Sequence, residues 1–244
     1  NITTISDMEG ISWPVRALFS EDDAVELARA ADSFTGALTK DGKDFNLGFN
    51  SFLVRSPDFL CLIDCGIGND KPRPDRPLWS MRKGDFLSRL ASSGVRPADI
   101  DIVINTHLHA DHVGWNTVLE NGRWIPTFPN ARYIVPQIEL EFWTERYASD
   151  RSALHGAFQD SVGPIIEHGR YESVEVPSEI APNLWLEPAP GHTTGMAIVR
   201  LSTLNGDIVF LSDVMHSPLQ FACPDISSKI CADRERAVAT RHFI

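Results

Sequence analysis

The sequence predicts an α/β fold in which two β-sheets pack face to face, with helices outside and a functional edge where strand ends gather. Three observations predict it. Short aliphatic runs recur in two groups, residues 50–54, 59–64, 102–105 and 131–135 in the first and 185–187, 197–201 and 208–211 in the second. Runs this short, rich in Ile, Val and Leu and bounded by polar residues, read as buried strands. Helix patterns lie between them: residues 85–91 are amphipathic, with Gly94 suited to the position past the helix end, and another helix starts near Pro136. Finally, Asn205-Gly206 between the last two runs is a hairpin turn signal.

A chain of 244 residues with 43% hydrophobic content suits one domain spanning residues 1–244. The net charge of −11 would repel a phosphate backbone, so nucleic acid is not an expected partner. No apolar run approaches the ~20 residues that span a bilayer, so a membrane is not expected either. No basic, apolar leader precedes Asn1, which predicts a cytoplasmic setting, with export behind a removed signal as the alternative. Cys61 and Cys65 fall on one strand pattern, roughly 13 Å apart and too far for a disulfide. Those two thiols, with Cys223 and Cys231, are expected to be reduced.

The chemistry concentrates in the stretch Thr106-His107-Leu108-His109-Ala110-Asp111-His112. It follows the apolar run Ile102-Val103-Ile104, so it lies on the loop leaving a buried strand, where catalytic groups are commonly placed. Alternate residues His107 and His109 can point to one side and share a cation. Asp111 and His112 then face the other way and can begin a second cation site. Only eight His occur in the chain, so three within this stretch beside an acid are not surface decoration. Two later segments supply further donors. His192 sits between Gly191 and Gly195 before another apolar run, and Asp213 ends the strand pattern that closes with Phe210-Leu211. Together they give the three or four N and O donors that zinc favours.

On these residues the chain resembles the metallo-β-lactamase-fold metallohydrolases, and the resemblance covers nearly all of it. It implies a four-layer αββα sandwich with two divalent metal ions at one edge. The ions are expected to be zinc, with manganese, iron or cobalt open at the second position. The ligands carried over are His107, His109, Asp111, His112 and His192, with Asp213 as the bridging carboxylate; Asp64 matches the family's early strand-end Asp. Asp213 sets the chain apart from the true zinc β-lactamases, which lack a carboxylate there, and His109 sets it apart from the diiron flavoproteins. The segment from Asp213 to Phe221 looks closest to the branch holding methyl parathion hydrolase and lactonase-like relatives. Acyl-homoserine lactonases carry a Tyr three residues after the bridging Asp, where this chain has His216. The family's seventh ligand, a His well downstream of Asp213, is missing. His242 falls within a helix pattern over residues 232–244 and is a poor candidate, so the chain is expected to lack its C-terminal segment.

The implied function is a hydrolase whose metal-bridging hydroxide opens a lactone or cleaves a carboxylic ester of an apolar small molecule. Metal binding brings the pKa of water down to about 7, so the nucleophile exists at neutral pH. Asp111 is expected to orient it, and His216 to donate a proton to the leaving alkoxide. Alternatives are an organophosphate triester or thioester hydrolase on the same site, or a mononuclear iron oxidoreductase of the persulfide dioxygenase type. Trp115 and Phe221 are expected to wall the substrate pocket, with Trp124 and Phe128 near it. The segment Lys71-Pro72-Arg73-Pro74-Asp75-Arg76-Pro77 reads as an extended, exposed connection, with a lid or a homodimer contact as the alternatives.

Overall fold

A computed structural model describes residues 1–244. The strands are β1 (Ile2–Pro14), β2 (Asp44–Arg55), β3 (Leu60–Ile63), β4 (Ile102–Ile104), β5 (Thr117–Glu120), β6 (Arg123–Pro126), β7 (Arg132–Pro136), β8 (Tyr171–Val174), β9 (Ser178–Ala181), β10 (Leu184–Pro188), β11 (Ala197–Thr203) and β12 (Gly206–Phe210). The α-helices are α1 (Val15–Leu18), α2 (Glu21–Ala30), α3 (Phe86–Ser92), α4 (Ala110–Val113), α5 (Gln137–Ser149), α6 (Gly163–Glu167) and α7 (Arg234–Phe243). A six-stranded sheet runs β1-β2-β3-β4-β7-β8, a four-stranded sheet runs β12-β11-β10-β9, and β5-β6 form a separate hairpin.

The strands β3, β4, β7 and β8 are parallel neighbours; β3, β4 and β7 read as apolar runs because both their faces are covered, whereas the edge strand β8 keeps Glu172 and Ser173 exposed. One face packs Val54, Cys61, Ile63, Ile102, Ile104 and Ile134 against Leu184, Leu186, Ala197, Val199 and Phe210 of the second sheet. The other face packs Leu53, Leu62, Val103 and Tyr133 against Phe86 and Leu90 of α3 and Ile165 of α6. Each such fully buried aliphatic side chain contributes roughly 1.5–3 kcal/mol, so this double-sided burial holds the β3-β4 strand ends rigid. No helix is long and apolar enough to cross a membrane.

Several expectations change in detail. The strand expected at 50–54 is the end of the long β2, which pairs antiparallel with β1 along a ribbon bulged near Met8. The sequence of β1 mixes Asp7, Glu9 and Gly10 with apolar residues, so it shows no clean alternation. Helix α3 ends where expected, with Gly94 at φ 80° just past Ser93. Cys61 and Cys65 face different clusters, because β3 stops at Ile63 and Asp64 turns the chain at φ 55°. All four cysteines are free and buried.

The segment 71–77 is exposed at Pro72, Pro74, Asp75 and Pro77, but two of its cations turn inward. Lys71 and Arg73 are both 0% exposed. Arg73 Nη1 and Nη2 donate to the Asp160 carboxylate at 2.6 and 2.8 Å, and Lys71 Nζ donates to Thr117 Oγ1 at 2.6 Å with the Trp124 ring 3.7 Å away. The prolines alternate with these cations, so an extended backbone turns Lys71 and Arg73 inward while Pro72 and Pro74 stay out. Asp160 makes the arrangement tolerable, and it is too distant in sequence to have been foreseen.

Candidate metal centre and its cavity

The loops that carry the candidate ligands all leave strands at one edge of the sandwich. Asp64 follows β3, His107 follows β4, His192 lies between β10 and β11, and Asp213 follows β12. Ala197 N donates to the Thr106 carbonyl at 3.0 Å, which joins the first loop to the second sheet. His107 and His109 flank Leu108, whose side chain turns into the core. His109 is the N-cap of α4 in extended backbone, and the single helical turn that follows carries Asp111 and His112 around. Gly114 closes the motif against the 65–68 loop: a Cβ there would lie 1.9 Å from the Ile67 backbone.

The structure brings the candidate ligands together. His107, His109 and His192 offer nitrogens within 4.8 Å of one another, and His192 Nε2 is 2.8 Å from His109 Nδ1. His107, His112 and Asp213 form a second such group. The Asp213 carboxylate stands between them. Its Oδ2 is 3.2 Å from His192 Nε2, and its Oδ1 is 3.3 Å from His112 Nε2. Asp111 Oδ2 lies 3.8 Å from His112 Nε2. His107 Nε2 is buried and has no hydrogen-bond partner. An orphaned imidazole nitrogen costs free energy unless something takes its lone pair, and here it faces other donors of the kind a divalent ion collects. The donor set therefore fits a divalent metal ion.

The electrostatics agree. Burial pushes His107, His109 and His192 below the usual histidine range, His109 down to about 3, which keeps the imidazoles in the neutral form that ligates metal. Burial acts the same way on His112, but Asp213, Asp64 and Asp111 outweigh it and raise that group well above its ordinary value. Burial, with the Asp213 charge adding to it, raises the Asp111 carboxyl. Burial opposes ionisation of Asp213 as well, yet His112 and His192 hold it well below the carboxylate range. A cluster this rich in carboxylates calls for positive charge, which a proton on His112 supplies and a divalent ion would supply more strongly.

Two supporting residues fix the geometry. Asp64 accepts from Thr106 N at 2.9 Å and meets His112 Nδ1 at 2.9 Å, which leaves Nε2 free to face Asp213. Glu139, on the buried face of α5, accepts from Leu108 N, Trp143 Nε1, Thr193 Oγ1 and Gly195 N. It thereby ties the His107–His109 loop to the His192 loop. A Cβ on Gly195 would come within 2.3 Å of Glu139 N, so this close approach needs glycine. Sequence reasoning did not single out Glu139. Its one signal is an acid in the first turn of a helix, at a position the core claims.

The remaining expected site residues fall in different places. His216 joins the centre from behind: its Nε2 is 3.2 Å from His192 Nδ1 and its Nδ1 is buried without a partner. Cys231 Sγ is 3.8 Å from the same His192 Nδ1. His242 is exposed, joins none of the donor groups and pairs with Asp225 at 2.6 Å. Trp115 is not a pocket wall. It is 3% exposed and stacks on Phe86 in the core beneath the first sheet, because the Gly114 turn swings it away from the ligands. Phe221 is 59% exposed and does not line the cavity either. Phe128 is core, and Trp124 covers Lys71.

A cavity of about 660 Å³ opens over Asp111, His112, Asp213 and His216. Its walls are aromatic and apolar as expected, but other residues supply them: Trp13, Leu47, Phe49 and Phe52 from the β1-β2 ribbon, with Trp79 and Met215.

Comparison with known proteins gives the same picture. The chain is 29% identical over 111 residues to the N-acyl homoserine lactonase AttM of Azorhizobium caulinodans, a match spanning 41% of this chain and only 39% of that protein. It is 25% identical over 201 residues to an N-acyl homoserine lactonase of Bacillus thuringiensis, covering 78% of this chain and 72% of the relative. The structure of AidC, a dizinc quorum-quenching lactonase in complex with a product, superposes with a TM-score of 0.76 at 22% identity, over 99% of this chain and 81% of that one. The Metallo-beta-lactamase superfamily profile matches residues 47–228, the span that holds every ligand loop. The chain belongs to the metallo-beta-lactamase superfamily.

Proposed function

We propose that this chain is a dinuclear metal-dependent hydrolase that opens a lactone or cleaves a carboxylic ester of an apolar small molecule. The observation that carries the reading is the Asp213 carboxylate, with Oδ2 toward His192 and His107 and Oδ1 toward His112, at the floor of an apolar cavity. His107, His109 and His192 would hold one ion, Asp111 and His112 the other, with Asp213 shared. Bound there, the ions would activate water at neutral pH and polarise the substrate carbonyl.

The chain's own residues do the rest. Asp111 lines the cavity beside His112, where its carboxylate can accept a hydrogen bond from the attacking water and fix its direction. The ligating form of His192 carries its proton on Nδ1, which makes His216 Nε2 the acceptor at 3.2 Å and leaves the His216 proton on Nδ1. That N–H has no partner within the chain; the neutral ring can offer a hydrogen bond to a leaving alkoxide, and the proton the alkoxide takes up is the one Asp111 accepts from the attacking water. The apolar walls exclude water around the ester and select a greasy body. The lactonase relatives support this class of bond, and His216 directs the choice away from a simple copy of their substrate.

The test is metal content together with turnover of a panel of lactones, aryl esters, thioesters and phosphotriesters. Two ions per chain with ester or lactone hydrolysis is the expected result. One iron per chain with oxygen consumption would replace the reading with an oxidoreductase.

A further inference from the structure

The segment 71–77 has no part in the hydrolase reading so far. Its inner residues are an anchor, with Arg73 held by the Asp160 carboxylate and Lys71 by Thr117 and the Asp160 carbonyl. Its outer residues reach the cavity: Arg76, with Trp79 one turn on, lines the same space as Asp111 and His216. The Arg76 carbonyl accepts from Trp79 N at 2.9 Å and Ser80 N at 3.0 Å, so the turn that presents both side chains is closed. A buried anchor thus fixes a cation at the cavity wall, and no other Lys or Arg lines that cavity.

Arg76 has no carboxylate within hydrogen-bond distance. The nearest one, Asp75 Oδ2, is 4.0 Å from Nη1, and Asp75 is instead engaged by His155 Nδ1. Arg76 Nη2 lies 3.3 Å from His155 Nε2, and Nη1 donates to the Asp75 carbonyl at 3.3 Å. With the His155 proton on Nδ1 facing Asp75, Nε2 accepts from Arg76, which positions the guanidinium and leaves it without a hydrogen-bonded carboxylate. Arg73 and Arg82, by contrast, each meet a carboxylate oxygen at 2.6 Å, while buried Arg241 is satisfied by the Val214, Pro224 and Ile226 carbonyls. His155 is held there at a cost, since Leu154 and His155 take φ values of 58° and 54° in the left-handed region. Such strain persists where surrounding structure imposes it, often at ligand clamps.

We propose that Arg76 is an anion-recognising subsite, and that the substrate is an ester or lactone whose apolar body ends in a carboxylate remote from the scissile carbonyl. The proposal rests on the hydrolase reading for the bond that is cleaved. A carboxylate matches the guanidinium fork in a bidentate pair, whereas a purely apolar tail would strip water from Arg76 and give nothing back. The overall charge of −11 gives an anion no general welcome, so the recognition has to be local.

The experiment compares, on the metal-loaded enzyme, aryl esters of a fatty acid and of the dicarboxylic acid of the same chain length. The carboxylate-ended ester should have the higher kcat/KM by about tenfold, mostly through KM, and added salt should shrink the ratio. Arg76→Gln should bring the ratio near unity, and Arg76→Lys, which keeps the charge without the fork, should retain part of it. Equal kcat/KM in the wild type, or a preference that survives in Arg76→Gln, would overturn the proposal. Calorimetric binding of the free dicarboxylate and monocarboxylate to wild type and Arg76→Gln decides the same question without turnover. If neither ester is cleaved, the hydrolase reading fails while that binding comparison still judges Arg76.

Discussion

Asp64 Oδ2 stands 2.9 Å from His112 Nδ1, and this contact determines which nitrogen of His112 faces the centre. With Nδ1 engaged, Nε2 is directed at Asp213 Oδ1, 3.3 Å away. The partner behind a ligating imidazole fixes its tautomer and ring orientation.

Removing that partner should therefore act on one ion. Asp64→Ala is expected to weaken metal retention at the His112 position by about 10–100-fold and leave the ion held by His107, His109 and His192 in place. Stepwise chelator titration of the variant checks this. Loss of both ions together would show that Asp64 supports the whole edge rather than His112 alone.

His107→Ala and His109→Ala should each abolish activity and remove one ion. Both belong to one donor group with His192, and His107 also faces His112 and Asp213 in a second group. Metal analysis beside a turnover assay is the measurement. Near-normal turnover with full metal content in either variant would remove that residue from the ligand set.

Trp115 and Trp79 should separate stability from recognition. Trp115 packs on Phe86 in the core, so Trp115→Ala is expected to cost about 3–5 kcal/mol of unfolding free energy. Trp79 lines the cavity as well as packing in the core beside Leu108, so Trp79→Ala should raise KM for apolar esters in addition to costing stability. Denaturant melts and steady-state kinetics on both variants test the assignment, and a KM change confined to Trp115→Ala would falsify the placement of the pocket wall.

Asp160 is the only carboxylate paired with Lys71 and Arg73. Asp160→Asn leaves two buried cations uncompensated and should destabilise the fold by about 3–5 kcal/mol, measured by the shift in the unfolding midpoint.

Lys71 makes that cluster sensitive to pH. Burial pulls its pKa down to about 7, with Asp160 opposing the fall. The unfolded chain keeps the ordinary value of 10.5, so between about 7 and 10.5 the folded state binds fewer protons than the unfolded one. The contribution of Lys71 to stability therefore rises with pH across that window. Unfolding free energies of wild type and Lys71→Met, measured from pH 7 upward, should diverge in favour of wild type. A constant difference would mean that Lys71 stays charged in the folded protein.

The elements legible in the sequence are those whose signal is local. The apolar runs of β3, β4, β7, β10, β11 and β12 are short and covered on both faces or paired in a hairpin, so composition alone marks them. The ligand motif was legible for a similar reason: residues 107–112 hold their geometry through one extended step and one helical turn, both set by neighbours in the chain. His192 and Asp213 were readable once the motif gave them company. The tertiary structure alone decided what surrounds that centre. Glu139 ties two ligand loops that are far apart in sequence, Asp160 turns an apparently exposed cationic loop into a buried anchor, and the β1-β2 ribbon supplies the cavity wall that Trp115 does not. Each depends on which distant residue arrives opposite. Periodicity records which face of an element is buried, and it carries no information about the partner that buries it.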